Sequence, residues 1–224
     1  VPAISGINMS NAKAYFGQLA FTNYYQLFIK PGWQQDGFLK FLNKPETKRV
    51  YDVDSSFLDS LGILCHEAVL PASAYATSEV KDNFMGITQE FAHTRLFTDI
   101  DLSFYVDRDY RVINFFEAWM NYISGGGDEP LTAIPGYYRR FNYPVNYKNK
   151  SGIYIKKFER DYSTAGEKSI TYQLINAFPK SMASIPVAYG DADLLKVSVT
   201  FNYDYYIVYR ETAPEPKTEA QAPK

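Results

Sequence analysis

The chain has 224 residues, of which 23 are basic and 25 acidic, giving a formal net charge of −2, with a single cysteine, 20 tyrosines and 16 phenylalanines. A chain of this length buries most of its unfolded surface without covalent help, and the lone Cys65 rules out an internal disulfide framework, which favours cytoplasmic synthesis. Near-neutral charge argues against a duplex-binding surface, and no run approaches the ~18 apolar residues of a membrane span, nor do the first residues show a basic-then-apolar leader pattern.

In chain order, residues 23–29 (Asn-Tyr-Tyr-Gln-Leu-Phe-Ile) read as an opening strand. Residues 31–54, from Pro31-Gly32-Trp33 to Asp52-Val53-Asp54, are polar and turn-rich and read as irregular. Ser55 or Ser56 then caps a short helix that stops at Gly62. Strands are expected at 62–69 and 83–91.

A clearer strand follows, with Ile100, Leu102, Phe104 and Val106 on one face and Asp99, Asp101 and Ser103 on the other. It runs into Asp107-Arg108-Asp109-Tyr110, where Asp107 or Asp109 caps a helix over about 109–124. Val112, Ile113, Phe116, Trp119, Met120 and Ile123 recur at helical spacing and form a stripe for packing on a sheet. Gly125, Gly126 and Gly127 end it. Residues 128–150 carry Pro130, Pro135 and Pro144 among several tyrosines and read as a long functional loop.

Strands are expected again at 152–159 and 169–178, and Gly190 to Asp193 reads as a tight turn. Leu195, Val197, Val199, Phe201, Tyr203, Tyr205, Ile207 and Tyr209 occupy every second position of one long strand, whose alternation blurs from Tyr206 onward. The remainder, 211–224, is a polar tail of disordered composition. One main helix among about seven strands, without strand and helix alternating, predicts a mainly β fold: an antiparallel β-sandwich or barrel with an attached helix. The expected organisation is a single domain over 1–210 followed by the tail.

Catalytic constellations are sparse. His66 and His93 are the only histidines; Cys65 and His66 are neighbours on a strand, so their side chains point to opposite faces and Cys65 reads as a buried structural residue. No Cys-x-x-Cys or His-Glu-x-x-His spacing occurs, and Gly190-Asp191-Ala192-Asp193 lacks the spacing of a calcium loop, so neither metal nor cofactor is expected. Lys156, Lys157 and Arg160 make a basic cluster too small for nucleic acid. Asp99, Asp101 and Glu90 form the one acidic set near a hairpin and read as solvated carboxylates, which leaves a carboxylate-dependent glycosidase as the enzymatic alternative.

The order of elements resembles the tail tube proteins of contractile-tailed bacteriophages. Ile63 to Pro71 is similar to that family's strand ending in an apolar-Pro turn, followed by a hairpin containing Asn83-Phe84-Met85-Gly86. Phe97 to Val106, then Tyr110 to Trp119, resembles its alternating strand leading into the main helix, and Phe178-Pro179 through Gly190 to Tyr206 resembles its kinked terminal strands. Phe21 to Ile29 resembles the opening strand, whereas 31–60 reads as an insertion relative to shorter tube proteins.

The resemblance implies a structural, non-enzymatic virion protein whose copies form stacked hexameric rings, neighbours' strands closing an inner barrel through which phage DNA slides. Implied partners are other copies, the tail sheath, a tape-measure protein and baseplate tube proteins, with no membrane and with assembly in the host cytoplasm. A baseplate tube initiator or a type VI secretion-like tube are the alternatives within that architecture. Asp99, Asp101 and Asp204 are the candidate lumen-facing residues, because a wall poor in free cations does not trap phosphates.

Overall fold

The computed structural model describes residues 20–30, 37–53, 56–81, 86–125, 140–159, 168–187, 189–190 and 193–212. Among them lie ten strands: β1 (Tyr25–Ile29), β2 (Cys65–Ala68), β3 (Ser73–Val80), β4 (Gln89–Phe97), β5 (Ile100–Tyr105), β6 (Ile153–Lys157), β7 (Lys168–Ile175), β8 (Phe178–Met182), β9 (Lys196–Asn202) and β10 (Tyr205–Thr212). The helices are α1 (Phe38–Asn43), α2 (Pro45–Tyr51), α3 (Phe57–Leu64), α4 (Arg111–Ile123) and the single turn α5 (Pro144–Tyr147). The strands pair antiparallel in three sheets: a first of order β1-β6-β7-β10, a second of order β2-β5-β9-β8, and a lone hairpin β3-β4.

The expected long strand over 195–209 is two strands belonging to different sheets. β9 lies inside the second sheet between β5 and β8, and β10 forms an edge of the first, with the crossing at Tyr203 and Asp204. Alternation continues through the crossing but its meaning inverts: Val197, Val199, Phe201 and Tyr203 are buried, whereas Tyr205, Ile207 and Tyr209 face outward. The blurring at Tyr206 is the sign of that inversion, because Tyr206 is half-buried against Tyr203 and Tyr172. The expected strand over 169–178 breaks in the same way: β7 ends at Ile175, Asn176 adopts the left-handed region at φ 57°, and β8 starts in the second sheet.

Residues 37–53 correct the expectation of irregular chain, for they carry α1 and α2. Phe38, Phe41 and Leu42 stand at helical spacing and bury one face, and Pro45 sits at the first turn of α2, where its missing N–H costs nothing. Phe38 stacks on Trp119 at 5.5 Å and Phe41 meets Tyr122 at 5.3 Å, so the segment is a lid on α4. Residues 31–36 and 54–55 lie outside the described residues. Ser56 precedes α3 without a side-chain capping bond, and α3 runs past Gly62 to Leu64. Gly62 does not terminate the helix; it lets α3 lie against β1, where a Cβ would come within 2.1 Å of the Leu27 carbonyl oxygen.

The expected strand over 83–91 is corrected to the hairpin β3-β4, whose partners start at Ser73 and end at Phe97. Residues 83–85 of the expected strand lie outside the described residues. β3 escaped notice because Ser-Ala-Tyr-Ala-Thr-Ser-Glu-Val has no large apolar side chain at every second position.

α4 fills the space behind the second sheet. Its buried residues are Val112, Phe115, Phe116, Ala118, Trp119 and Tyr122, a stripe rotated from the expected one, leaving Ile113, Met120 and Ile123 half-buried. Phe116 packs on Phe104 and Phe201, and Trp119 on Phe201 while donating its indole N–H to the Tyr147 carbonyl at 3.0 Å. Burial of each such ring stabilises the fold by roughly 2–3 kcal/mol. Asp107 closes the helix start from four residues back, accepting the Arg111 backbone N–H at 2.8 Å and its guanidinium at 2.7 Å. At the other end Gly125 adopts φ 84°, where any Cβ would strike the Arg140 carbonyl at 1.8 Å. Gly126, Gly127 and residues 128–139 of the expected loop lie outside the described residues, as do Asp191, Ala192, Arg160 and 213–224 of the tail.

Candidate assembly surface

The three candidate acids occupy two different settings. Asp99 precedes β5, where its carboxylate accepts hydrogen bonds from Lys180 at 2.5 Å and Asn202 at 2.7 Å. The Lys180 bond first, then that of Asn202, holds the Asp99 carboxyl below its ordinary range. Asp101 points out from β5 and accepts the Thr200 hydroxyl at 2.6 Å. Together with Ser103, Ser198 and Thr200 these groups make much of the outer face of the second sheet small and polar, with Tyr105 and Lys196 at its end, opposite the face that packs on α4.

Asp204 sits at the crossing between the sheets. Its N–H donates to the Ile175 carbonyl at 3.1 Å, and its carboxylate accepts Lys148 and Asn176, each at 2.7 Å. Burial raises its pKa, and the bonds from Lys148 and Asn176 more than offset this, so the net shift is downward. This carboxylate pins both crossings together. Glu90 joins neither setting; it lies toward the far end of β4, nine residues or roughly 30 Å of extended chain from Asp99, directly opposite Glu79.

Sheet edges are the larger feature. The hairpin β3-β4 pairs only with itself, and almost all its residues are exposed, including Tyr75, Val80, Phe91 and Leu96. It is anchored at its root, where Arg95 donates to Ser73 at 3.1 Å and to the Tyr206 hydroxyl at 3.2 Å, and Phe97 meets the Tyr206 ring edge-on at 5.5 Å. β10 is the edge of the first sheet and exposes Tyr205, Ile207, Val208 and Tyr209. Edge strands of this kind template pairing with another chain. The sequence signalled the surplus of aromatic residues but not where they stood.

A shallow groove of roughly 380 Å³ crosses the outer face of the first sheet, lined by Phe28, Lys30, Tyr154, Lys156, Thr171 and Tyr209 among others. Lys30 stands 4.6 Å from the centre of the Tyr154 ring, and Tyr209 donates to Gln173 at 2.7 Å. Lys156 thus belongs to this groove, whereas Lys157 turns to Glu159 at 2.8 Å, so the basic cluster is divided.

Nucleophile and base are not brought together. Cys65 is buried, its thiol pushed up to about 12 chiefly by that burial, while His66 lies against the Tyr105 ring at 4.7 Å. His93 is on the hairpin, bonded to Thr94 at 2.8 Å. No group of three histidine, cysteine, aspartate or glutamate side chains clusters among the described residues, and no helix there is long and apolar enough to cross a membrane.

The profile of the phage tail tube proteins matches residues 20–209, nearly the whole of the described structure. The chain belongs to the phage tail tube protein family. No curated protein matches this tail tube protein. Among solved structures, the tube-terminating cap of the anti-feeding prophage is 16% identical, with 87% of this chain and 92% of that one covered and a TM-score of 0.49. A chain of the sheath-tube complex of an extracellular contractile injection system is 14% identical over 90% of this chain and 99% of that one, with a TM-score of 0.45. An Hcp protein is 10% identical over 84% and 98%, with a TM-score of 0.35.

Proposed function

We propose that this tail tube protein is the repeating subunit of a contractile phage tail, built from stacked hexameric rings that enclose the DNA conduit. The observation that carries the reading is the set of open edges: the hairpin β3-β4 and strand β10 expose backbone and aromatic side chains that the subunit itself leaves uncovered. A two-stranded hairpin is marginal in water, and closing a ring of sheets abolishes edges altogether. Obligate contacts of this kind bury on the order of 2,000 Å² or more, which gives the tyrosine and phenylalanine surplus its place. Residues 1–210 act as one unit with about 31–60 as an insertion, and the protein does no chemistry of its own.

In this reading the sheath lies outside, a tape-measure protein and then DNA inside, and baseplate tube proteins below, in a particle assembled in the host cytoplasm. The outer face of the second sheet, with Asp99 and Asp101, together with Asp204 at the crossing beside it, is the proposed channel wall. Pairing of Asp99 with Lys180 and of Asp204 with Lys148 supports it, because cations so engaged hold phosphate weakly. Negative-stain imaging of the purified full-length protein tests the whole: annular particles with sixfold symmetry are expected. A compact monomer at high concentration would refute the assignment. Modification of Asp101→Cys by a bulky maleimide tests the wall, and labelling as fast in finished tubes as in monomers would remove it.

A further inference from the structure

The groove on the first sheet has a feature that an ordinary wet surface lacks. Thr171, which lines it, is 8% exposed and its hydroxyl has no hydrogen-bond partner among the described residues; Ser169, two residues back on the same face of β7, is 5% exposed and equally unpartnered there. Both hydroxyl oxygens are already covered within the subunit, so an incoming chain meets the side chains around them and not the oxygens themselves. Around them stand Phe28, Tyr154 and Tyr209 with the cations of Lys30 and Lys156. The mixture of aromatic rings and ammonium groups suits an extended strand carrying carboxylates.

The hairpin supplies such a strand. Glu79 and Glu90 face each other across it, a like-charge pair that destabilises an isolated ladder. Lys81 pairs with Glu79 at 2.9 Å, and Glu90 has no cationic partner among the described residues. Both hairpin edges are free among the described residues, so their backbone groups are available to a neighbouring surface. The protein's own hairpin does not reach this place. Its root is tied to Tyr206, which shares a face with Leu174, Ile153 and Ile29, and the groove lies on the opposite face of that sheet.

The geometry points to a second copy of this chain as the occupant: the β3-β4 hairpin of one subunit lies in the groove of the next, with Glu79 and Glu90 against Lys30 and Lys156. The contact is head-to-tail, since hairpin and groove are different surfaces, and repetition of such a contact closes into a ring when the rotation permits. This assignment rests on the tube reading above and specifies which surfaces meet.

Charge exchange in the full-length protein tests it. Glu79→Lys with Glu90→Lys, or Lys30→Glu with Lys156→Glu, should each raise the concentration needed for ring formation by about tenfold or more, read by sedimentation velocity, because like charges then meet. An equimolar mixture of the two double variants should form rings again, as should the variant carrying all four changes, while circular dichroism stays that of the unmodified protein. Rings that form regardless of either double change, or failure of folded variants to recover on mixing, would overturn the docking while leaving the tube reading intact. An unmodified protein that forms no rings would overturn both. A second arm is independent of charge: Glu90→Cys with Lys30→Cys should yield disulfide-linked multimers on oxidation, and monomers alone would count against the contact.

Discussion

Gly62 shows how one missing side chain positions two elements. α3 lies against β1 so closely that a methyl group there would sit 2.1 Å from the Leu27 carbonyl, a backbone atom with no freedom to move aside. Gly62→Ala should therefore cost about 1–3 kcal/mol, the usual range for overpacking, seen as a lower urea midpoint with an unchanged slope. An unchanged midpoint would mean that α3 is able to slide. Asp99 and Asp204 make a second residue-scale case. Both carboxylates have depressed pKa values, Asp99 through its bond from Lys180, and Asp204 through bonds from Lys148 and Asn176 that outweigh its burial. Their contribution is complete above the unfolded value of about 3.9 and is lost as pH falls through the lower folded values. Melting temperature should thus drop on the acid side of about pH 4, and Asp99→Asn with Asp204→Asn should flatten that limb. An acid limb of the same slope in the double variant would show that other groups set it.

At the scale of elements, α4 is the part on which most others converge. Trp119 is fully buried, stacks on Phe38 from α1, meets Phe201 from β9, and bonds the carbonyl of Tyr147 at the end of α5. Trp119→Ala should cost about 3–5 kcal/mol and loosen α1 and α2 first, measurable as faster amide exchange over 38–51 than in β9. Uniform acceleration across both would argue that the lid is not a separate layer. α4 and β5 were legible in the sequence, because each carries its apolar residues at one clean period over several turns or pleats. The helices α1 and α2 were not, since each is under two turns and its few apolar positions sit among lysines and a proline. The crossing at Asp204 was half legible: alternation survived, and only the burial of Tyr206 beside an exposed Tyr205 shows that the chain changed sheets. Asp99 and Asp101 were found as a pair on one strand, but their partners Lys180 and Thr200 come from 81 and 99 residues away, which no local pattern reveals.

For the whole molecule, the hairpin is where fold and assembly part. Arg95, Phe97, Ser73 and Tyr206 hold its root, while beyond Ala76 and Thr94 its residues are largely exposed and absent from the buried core. Replacing residues 77–93 by an Asn-Gly turn joins Ala76 to Thr94, which already face each other across the ladder, and a two-residue turn of that kind suits the twist of the strands. The shortened protein should keep its unfolding free energy to within about 1 kcal/mol, because surface changes away from the core have small effects. It should sediment as a monomer at concentrations where the full-length chain forms rings. A shortened protein that still forms rings would place closure on β10 alone, whereas one that fails to fold would show that the hairpin stabilises the subunit itself. Monomers with native stability are the outcome expected of an arm that contributes to the assembled ring and very little to the isolated subunit.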